Sequence, residues 1–375
     1  MRDFFRKLHL WVSVPFGLVI MVTCFTGALL VFEEDITSLY YSDVAGVVPQ
    51  GKALPLAVLM GCVEKALPEA EITGVTISAD DDVAYKVSVS KPRRATYYVN
   101  QYTGAVNGEY ERIGFFRTVL RLHRWLLDSN PGNAGIFWGK RIVGASTISF
   151  VVILLTGLVI WYPKNRKMLR NRLKIVFSKG KNRFWYDLHV AGGFYAFLLL
   201  LAMALTGLTW SYRWYNDAFY SVFAGDGTQG SRKSVVSAVS GATPQAGAWG
   251  GEDKENEVLG KFYPWQRAVE AVAERTPDYK RIMLSKDNIS VYDATWGNSS
   301  ACDRYKFNTS TGDLETVQLY DDNARRSKVR GWVYSVHVGS WAGFFSRLMA
   351  FFAAMLGATL PLTGYYFWIR RIYKK

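Results

Sequence analysis

Four histidines are the residues of this chain whose type and spacing point most directly to chemistry: His9, His123, His189 and His337. His9 and His189 stand at the starts of two apolar segments, and each precedes a Thr-Gly pair by seventeen residues. His123 and His337 stand before two further apolar segments that each contain a Thr-Gly pair. Neutral imidazoles that face each other in pairs hold a haem iron from both sides. The four histidines are therefore candidate metal ligands.

The elements that must position these histidines are four apolar stretches. They cover residues 10–32, 142–162, 190–210 and 343–369, and each approaches or exceeds the roughly 20 residues needed to span a bilayer. The first stretch is longer than a signal-peptide core, and no small-x-small cleavage site follows it. We therefore interpret all four stretches as membrane spans.

The distribution of charge predicts how the spans are oriented. The net charge is +14, and nine basic residues but no acidic one lie between Pro163 and Phe184. Basic residues also lie at both termini. Short basic loops mark the cytoplasmic side, so we expect both termini inside and residues 33–141 and 211–342 outside. We attribute the basic character to topology and not to nucleic-acid binding.

The chain contains an internal repeat. The outer segments 53–110 and 262–320 each read as a helix followed by short alternating strands, and Asn100 and Asn308 each precede a Thr-Gly turn by three residues. Both halves begin inside, so the repeats are parallel about an axis along the membrane normal. The predicted fold class is a membrane protein, a four-transmembrane-helix bundle with two small α+β outer domains and an internal parallel two-fold repeat.

The predicted domain organisation follows from this repeat. It comprises a first span at 1–34, a first outer domain at 35–112, an amphipathic helix and loop at 113–141, a second span at 142–163, a basic loop at 164–183, a third span at 184–212, a second outer domain at 213–330, a fourth span at 331–370 and a tail at 371–375. Residues 224–257 are rich in Gly, Ser and charge, and we interpret them as a mobile loop in the second outer domain.

Cysteine usage limits the kinds of metal site. The three cysteines form no CxxC or CxxCH motif, which argues against a structural zinc site and against covalently attached haem. A Cys62–Cys302 disulfide is allowed in an oxidising compartment, but no sequence pattern specifically supports it.

The repeat relates the histidines in two pairs at different depths. His9 and His189 are expected at the inner ends of the first and third spans, and His123 and His337 near the outer ends of the second and fourth. The bundle then holds an inner and an outer candidate haem site. The alternative for each histidine is a polar anchor at the membrane interface. Zinc or copper would need carboxylate or thiolate ligands that the repeat does not supply at these levels.

The Thr-Gly pairs fall at the same two depths. Seventeen helical residues at about 1.5 Å each extend about 25 Å. Each haem level would therefore receive two Thr-Gly pairs: Thr26-Gly27 and Thr206-Gly207 at the outer level, and Thr156-Gly157 and Thr363-Gly364 at the inner level. Such small residues either clear room for a flat macrocycle or serve plain helix packing, which is the commoner role in membranes.

Basic residues near both rims are candidates for pairing with haem propionates. The candidates are Arg141, Arg347, Arg124 and Arg213 for the outer site, and Arg6, Lys7 and Arg183 for the inner site. Arg141 and Arg347 also fit a role in which the side chain snorkels toward the membrane surface.

Several motifs of the chain occur together in one known family. They are RKLHLW…TGALL in the first span, LRLHRW around His123, the YYVN and YKFN strands with their Thr-Gly turns, and the span ends TGLVIW and TGYYFW. In this ordered set the chain resembles the PepSY-associated transmembrane protein family over nearly its whole length. The resemblance implies a ferric-siderophore reductase of the bacterial inner membrane, with four spans, two periplasmic PepSY-like domains and two non-covalent b-type haems.

By this resemblance, His9, His123, His189 and His337 match the family's haem-ligand histidines. The chain departs from a strict repeat at His337, which is followed by VGSWAGFF where RWLL follows His123. One haem could therefore be held by a single histidine.

The expected function is a transmembrane electron conduit that reduces a ferric siderophore. Hard oxygen chelators hold Fe(III) tightly and Fe(II) weakly, so one-electron reduction would release the iron. No nucleotide-binding GxGxxG follows a strand, so the electron donor must be external, a membrane quinol or a partner reductase. One alternative is a haem-free membrane anchor whose PepSY-like domains regulate a periplasmic peptidase or cell-wall enzyme. A transporter is disfavoured because the spans lack central charged residues.

Overall fold

The computed structural model describes residues 1–91, 93–132, 135–225, 234–235, 253–293 and 297–373, with only the backbone described for 234–235 and 253–259. Most of the predicted mobile loop at 224–257 lies outside these residues. The helices are α1 (Arg2–Leu30), α2 (Glu33–Tyr40), α3 (Ser42–Ala45), α4 (Leu56–Ala66), α5 (Gly114–Trp125), α6 (Trp138–Trp161), α7 (Arg166–Arg172), α8 (Lys181–Asp187), α9 (Gly193–Ser211), α10 (Arg213–Ala224), α11 (Asp253–Arg275), α12 (Arg325–Val338) and α13 (Gly343–Tyr373). The strands are β1 (Ile72–Ser78), β2 (Tyr85–Val89), β3 (Ala95–Val99), β4 (Val106–Tyr110), β5 (Ser234–Val235), β6 (Arg281–Ser285), β7 (Asn288–Tyr292), β8 (Asp303–Phe307) and β9 (Leu314–Gln318).

Four helical segments of the described chain are long and apolar enough to cross a membrane, as the hydropathy pattern predicts. They are Arg2–Leu30, Trp138–Trp161, Lys181–Ser211 and Gly343–Tyr373. Helix α1 packs against α6 and α13, and α9 packs against the same two helices. Side chains such as Ile20, Phe150, Leu200 and Ala353 fill the middle of the resulting bundle. The protein is therefore a multi-pass membrane protein built on four packed spans.

The third span contains a local widening at its histidine. Residues Leu188–Gly192 form a π-helical turn between α8 and α9, and His189 is its second residue. A π turn inserts one extra residue into the helical ladder and often occurs at functional sites. It sets the direction in which the His189 side chain leaves the span.

The outer segments form one sheet where the sequence predicts two separate domains. The strand order is β4-β3-β2-β1-β6-β7-β8-β9-β5, and β1 pairs antiparallel with β6 through partners such as Val75 and Leu284. Pairing the two edge strands satisfies backbone groups that would otherwise remain open. One apolar core, which includes Met60, Val87, Ile282 and Phe307, runs through both halves.

The two halves of the sheet use the same turn chemistry. The side-chain oxygen of Asn100 accepts hydrogen bonds from the backbone of Tyr102 and Thr103, at 2.8 and 3.2 Å. Asn308 holds its own turn in the same way. Gly104 and Gly312 follow with φ of 76° and 78°, where a side chain would be strained.

The fourth span differs from its prediction. The unit expected at 331–370 is divided between α12 and α13, because Gly339 adopts a left-handed conformation with φ of 79°. Helix α12 carries His337, so this histidine lies on a short helix before the span, as His123 does on α5.

The cysteines make no disulfide. Cys24, Cys62 and Cys302 are all free thiols. The Cys62–Cys302 bridge that the sequence allows is absent from this structure.

Candidate functional site

The inner pair consists of His9 and His189, at the starts of the first and third spans. Their ring centres lie 6.4 Å apart, and the ring planes make an angle of 83°. Both imidazoles are partly buried. The structure thus brings together the two histidines that the repeat relates at this level.

The outer pair consists of His123 on α5 and His337 on α12. Their ring centres lie 6.2 Å apart at an angle of 62°. Each helix ends soon after its histidine at a residue with left-handed backbone, Leu126 (φ 52°) and Gly339 (φ 79°). The two pairs therefore have nearly the same ring separation, although the inner pair lies on membrane spans and the outer pair on short helices before the spans.

Each histidine is held through its Nδ1 atom by a Thr-Gly pair on a neighbouring helix. For His9, Nδ1 lies 3.1 Å from the Thr156 hydroxyl and 3.1 Å from the carbonyl of Ile153, three residues earlier on α6. The same arrangement joins His123 to Thr26 and the Thr23 carbonyl, His189 to Thr363 and the Leu360 carbonyl, and His337 to Thr206 and the Met203 carbonyl. We call this recurring set of a carbonyl, a threonine hydroxyl and a glycine the Thr-Gly cradle.

The cradle determines which ring nitrogen carries the proton. A carbonyl oxygen only accepts hydrogen bonds, so Nδ1–H must be the donor. The Thr156 hydroxyl donates to the carbonyl of Val152 at 2.8 Å, which leaves its oxygen to accept from His9. With Nδ1 protonated, Nε2 of a neutral ring keeps its lone pair free for a metal. No hydrogen bond within the described part of the chain engages Nε2 of any of the four rings.

The glycine of each cradle makes room for the ring. A Cβ atom added at Gly207 would lie 3.0 Å from Cε1 of His337, and one at Gly27 would lie 3.1 Å from Cε1 of His123. The corresponding distances are 3.3 Å from Gly157 to His9 and 3.8 Å from Gly364 to His189. The Thr-Gly pairs lie at the levels that the sequence predicts, and in this structure they contact the imidazoles.

The outer imidazoles are neutral near pH 7. The pKa of His123 is lowered to about 4, mainly by burial and to a smaller extent by the nearby His337 ring when that ring is charged. Burial also lowers the pKa of His337 below its ordinary value. Neutral imidazole is the form of histidine that binds a metal.

The geometry of both pairs fits one iron between two imidazoles. A metal–nitrogen bond is about 2 Å long, and a ring nitrogen lies about 1 Å from the ring centre, so two rings on one iron have centres about 6 Å apart. The observed separations are 6.4 and 6.2 Å. No three His, Cys, Asp or Glu side chains of the described residues come together as a metal cluster. Two protein ligands suit a haem, which brings its own ring nitrogens.

An apolar core separates the two levels. Ile20, Phe150, Leu154, Leu200 and Ala204 are buried there and pack into one cluster. Helix α1 rises about 25 Å from His9 to Thr26, whose hydroxyl contacts His123 of the outer pair. This core keeps water out of the space between the two pairs.

Three of the seven basic residues proposed for the rims form ion pairs with carboxylates of the chain. Arg347 forms an ion pair with Asp35, and Arg183 pairs with the buried Asp187 at 2.8 Å. Arg6 pairs with Asp3 at 3.1 Å. Arg141 is exposed. A propionate at the outer rim would have to share Arg347 with Asp35.

Sequence reasoning missed two parts of the site. The backbone carbonyls of the cradle carry no sequence signal of their own, although each lies three residues before a Thr-Gly pair. Trp210, whose ring centre lies 5.0 Å from that of His337, stands three residues after Gly207 and could have been recognised from this spacing.

The comparison with family models identifies the chain. Residues 6–371 match the model described as the PepSY-associated TM region. The match covers nearly the whole sequence, so the chain belongs to this family. A comparison with curated proteins finds no match.

Proposed function

We propose that this member of the PepSY-associated transmembrane family is a two-haem electron-transfer protein that reduces ferric siderophores. The observation that carries the proposal is the fourfold Thr-Gly cradle, which holds two close pairs of imidazoles through Nδ1 and leaves Nε2 of each ring available to a metal. A polar anchor at a membrane interface would need neither the facing partner nor the fixed tautomer.

Each histidine pair has one role in this proposal. His9 and His189 would hold the inner haem b, and His123 and His337 the outer one. Haem iron, when bound, would supply reversible one-electron chemistry, and two histidine ligands at each level would suit electron transfer better than oxygen activation. The cradles orient the four rings, while the apolar core between the levels excludes water.

The direction of electron flow follows from the proposed topology. We place the protein in the bacterial inner membrane with both termini in the cytoplasm, because the basic loop at 164–183 joins the second and third spans. An external quinol or partner reductase would supply electrons. A ferric chelate at the outer side would take one electron per iron, and Fe(II) would leave a chelator built for Fe(III).

Reoxidation by a ferric chelate tests the proposed activity. Protein reduced with dithionite and then freed of it under anaerobic conditions should be reoxidised by a ferric siderophore, with Fe(II) captured by a coloured Fe(II) chelator. The gallium(III) complex of the same siderophore is the control, since gallium accepts no electron under these conditions. A reduced protein that stays reduced in the presence of ferric siderophores would contradict the proposal.

The cradle should also tune the inner haem. Thr156→Val removes one acceptor from His9 Nδ1–H and leaves the Ile153 carbonyl in place. The weaker hydrogen bond makes the ligand less basic, so the inner haem midpoint potential should rise by roughly 20–60 mV, the equivalent of one net hydrogen bond. Redox titration of the purified protein measures this shift.

Thr147→Val is the matched control for this variant. Its hydroxyl bonds only the Val143 carbonyl on the same helix. An equal shift in both variants would show that the cradle does not act on the inner histidine.

A further inference from the structure

The structure contains a large polar groove away from the histidine pairs. It lies between the strands of the first half, the turn after β6 that carries Lys286, and the start of α5, and has a volume of about 800 Å³. Hydroxyl side chains of Thr73, Ser88 and Thr96 line it. Thr73 and Ser88 lie at positions of β1 and β2 that are flanked by buried residues. Sites for small molecules commonly have volumes of about 300–1,000 Å³.

The lining of the groove has an excess of positive charge. Five cationic side chains and three carboxylates line it. Arg93 pairs with Glu109 at 2.7 Å and with Glu111 at 3.4 Å. Glu71 has its own partner in Lys91, at 3.1 Å. All three carboxylates are thus already paired.

Three of the cations have no such partner. Arg94, Arg117 and Lys286 are exposed, and within the described part of the chain none of them forms an ion pair or a side-chain hydrogen bond. Lys286 also has left-handed backbone, with φ of 55°, where Asn or Gly is usual. Three unpaired cations around hydroxyl groups form a site for an anion with several oxygen atoms.

The second half of the chain lacks this arrangement. Aligning the YYVN and YKFN strands places the buried Cys302 at the position of Arg94. Aligning His337 with His123 places Gly331, which packs against Asn298, at the position of Arg117. The corresponding surface of the second half therefore lacks two of these three cations, so the groove is not a by-product of the repeated fold.

One cation of the groove belongs to the same helix as a histidine of the outer pair. Arg117 and His123 belong to the same helix, six residues apart, which is about 9 Å along its axis.

We propose that this groove docks the ferric substrate and selects anionic chelates, those whose iron is wrapped by catecholate or carboxylate oxygens. The inference rests on the proposed function, which identifies the ligand as a ferric chelate, but the docking step involves no electron transfer. Arg94, Arg117 and Lys286 bind the negative oxygens, and the hydroxyls of the sheet complete the contact.

Gallium(III) complexes test the groove separately from reduction, because gallium has the charge of Fe(III) and is not reduced. The full-length protein in neutral detergent is dialysed to equilibrium against a trianionic tris-catecholate gallium complex or a neutral tris-hydroxamate one. The variant Arg94→Gln/Arg117→Gln/Lys286→Gln should bind the trianionic complex at least about tenfold more weakly. Its affinity for the neutral complex should be unchanged.

The matched control removes equal charge from the second half. Arg304→Gln/Arg325→Gln/Arg330→Gln replaces three exposed cations and should bind the trianionic complex like the wild type. Equal losses in both triple variants, or no loss in the first, would overturn the proposal. The proposal would also be overturned if the groove variant lost affinity for soluble short-chain phosphatidylglycerol and kept its affinity for both gallium complexes. That result would assign the groove to lipid headgroups. Intact gallium binding without reoxidation by ferric complexes would contradict the proposed function alone.

Discussion

Replacing both inner histidines, His9→Ala together with His189→Ala, should remove one haem from the purified protein. Under the proposal each ring would supply one of the two protein ligands at its level, so the double variant should carry about one haem per chain where the wild type carries about two. The reciprocal variant, His123→Ala with His337→Ala, should lose the other haem. Pyridine haemochrome assays and redox titration measure the number and the potential of the haems that remain.

A single variant separates ligand loss from misfolding. His189→Gly removes the ring and leaves a space of its size beside Thr363. Imidazole added to this variant should restore a low-spin spectrum, because the free molecule can take the vacated axial position. If both double variants kept two low-spin haems, the assignment of these histidines would be wrong.

Replacing a cradle glycine with alanine should weaken haem retention more strongly where the added Cβ lies closer to the histidine ring. A Cβ at position 207 would lie 3.0 Å from Cε1 of His337, which is closer than ordinary contact. The ring is held on its Nδ1 side by Thr206 and the Met203 carbonyl, so it cannot move away without losing these bonds. Overpacking costs about 1–3 kcal/mol, and we expect Gly207→Ala to weaken haem retention at the outer site by about 5- to 150-fold.

The fourth cradle provides the control for this series. A Cβ at Gly364 would lie 3.8 Å from Cε1 of His189, which is ordinary van der Waals contact, so Gly364→Ala should leave the inner haem in place. Transfer of haem to an excess of apomyoglobin gives the release rate for each variant. Equal release from both variants would mean that the glycines serve helix packing alone.

The sequence predicted the layout of the site because depth in a membrane follows from residue number. Once the spans are assigned, the position of His9 along α1 determines its level, and the repeat supplies His189 as its partner. The same reasoning placed Thr26 and Thr156 at opposite levels. Whether the histidines bind haem stays a prediction.

The contacts could not be predicted because they depend on rotation about the helix axis. Residue number gives the depth of Thr156 in the membrane but not the direction in which its side chain points, so its hydrogen bond to His9 could not be predicted. The ion pair between Arg347 and Asp35 joins residues that are distant in sequence. The pairing of β1 with β6 joins the edge strands of two units, and the alternation pattern of each unit gives no sign that its edge strand pairs with the other unit. The break at Gly339 was missed because the apolar run after it dominates the hydropathy pattern.

The visible absorption spectrum of detergent-purified protein, oxidised and then reduced with dithionite, tests the central claim most directly. Expressed with haem supplied, the protein should show a sharp low-spin α band on reduction and contain about two non-covalent haems b per chain. A colourless protein under the same conditions would contradict the haem assignment and favour a haem-free membrane anchor whose outer sheet binds a peptidase or cell-wall enzyme.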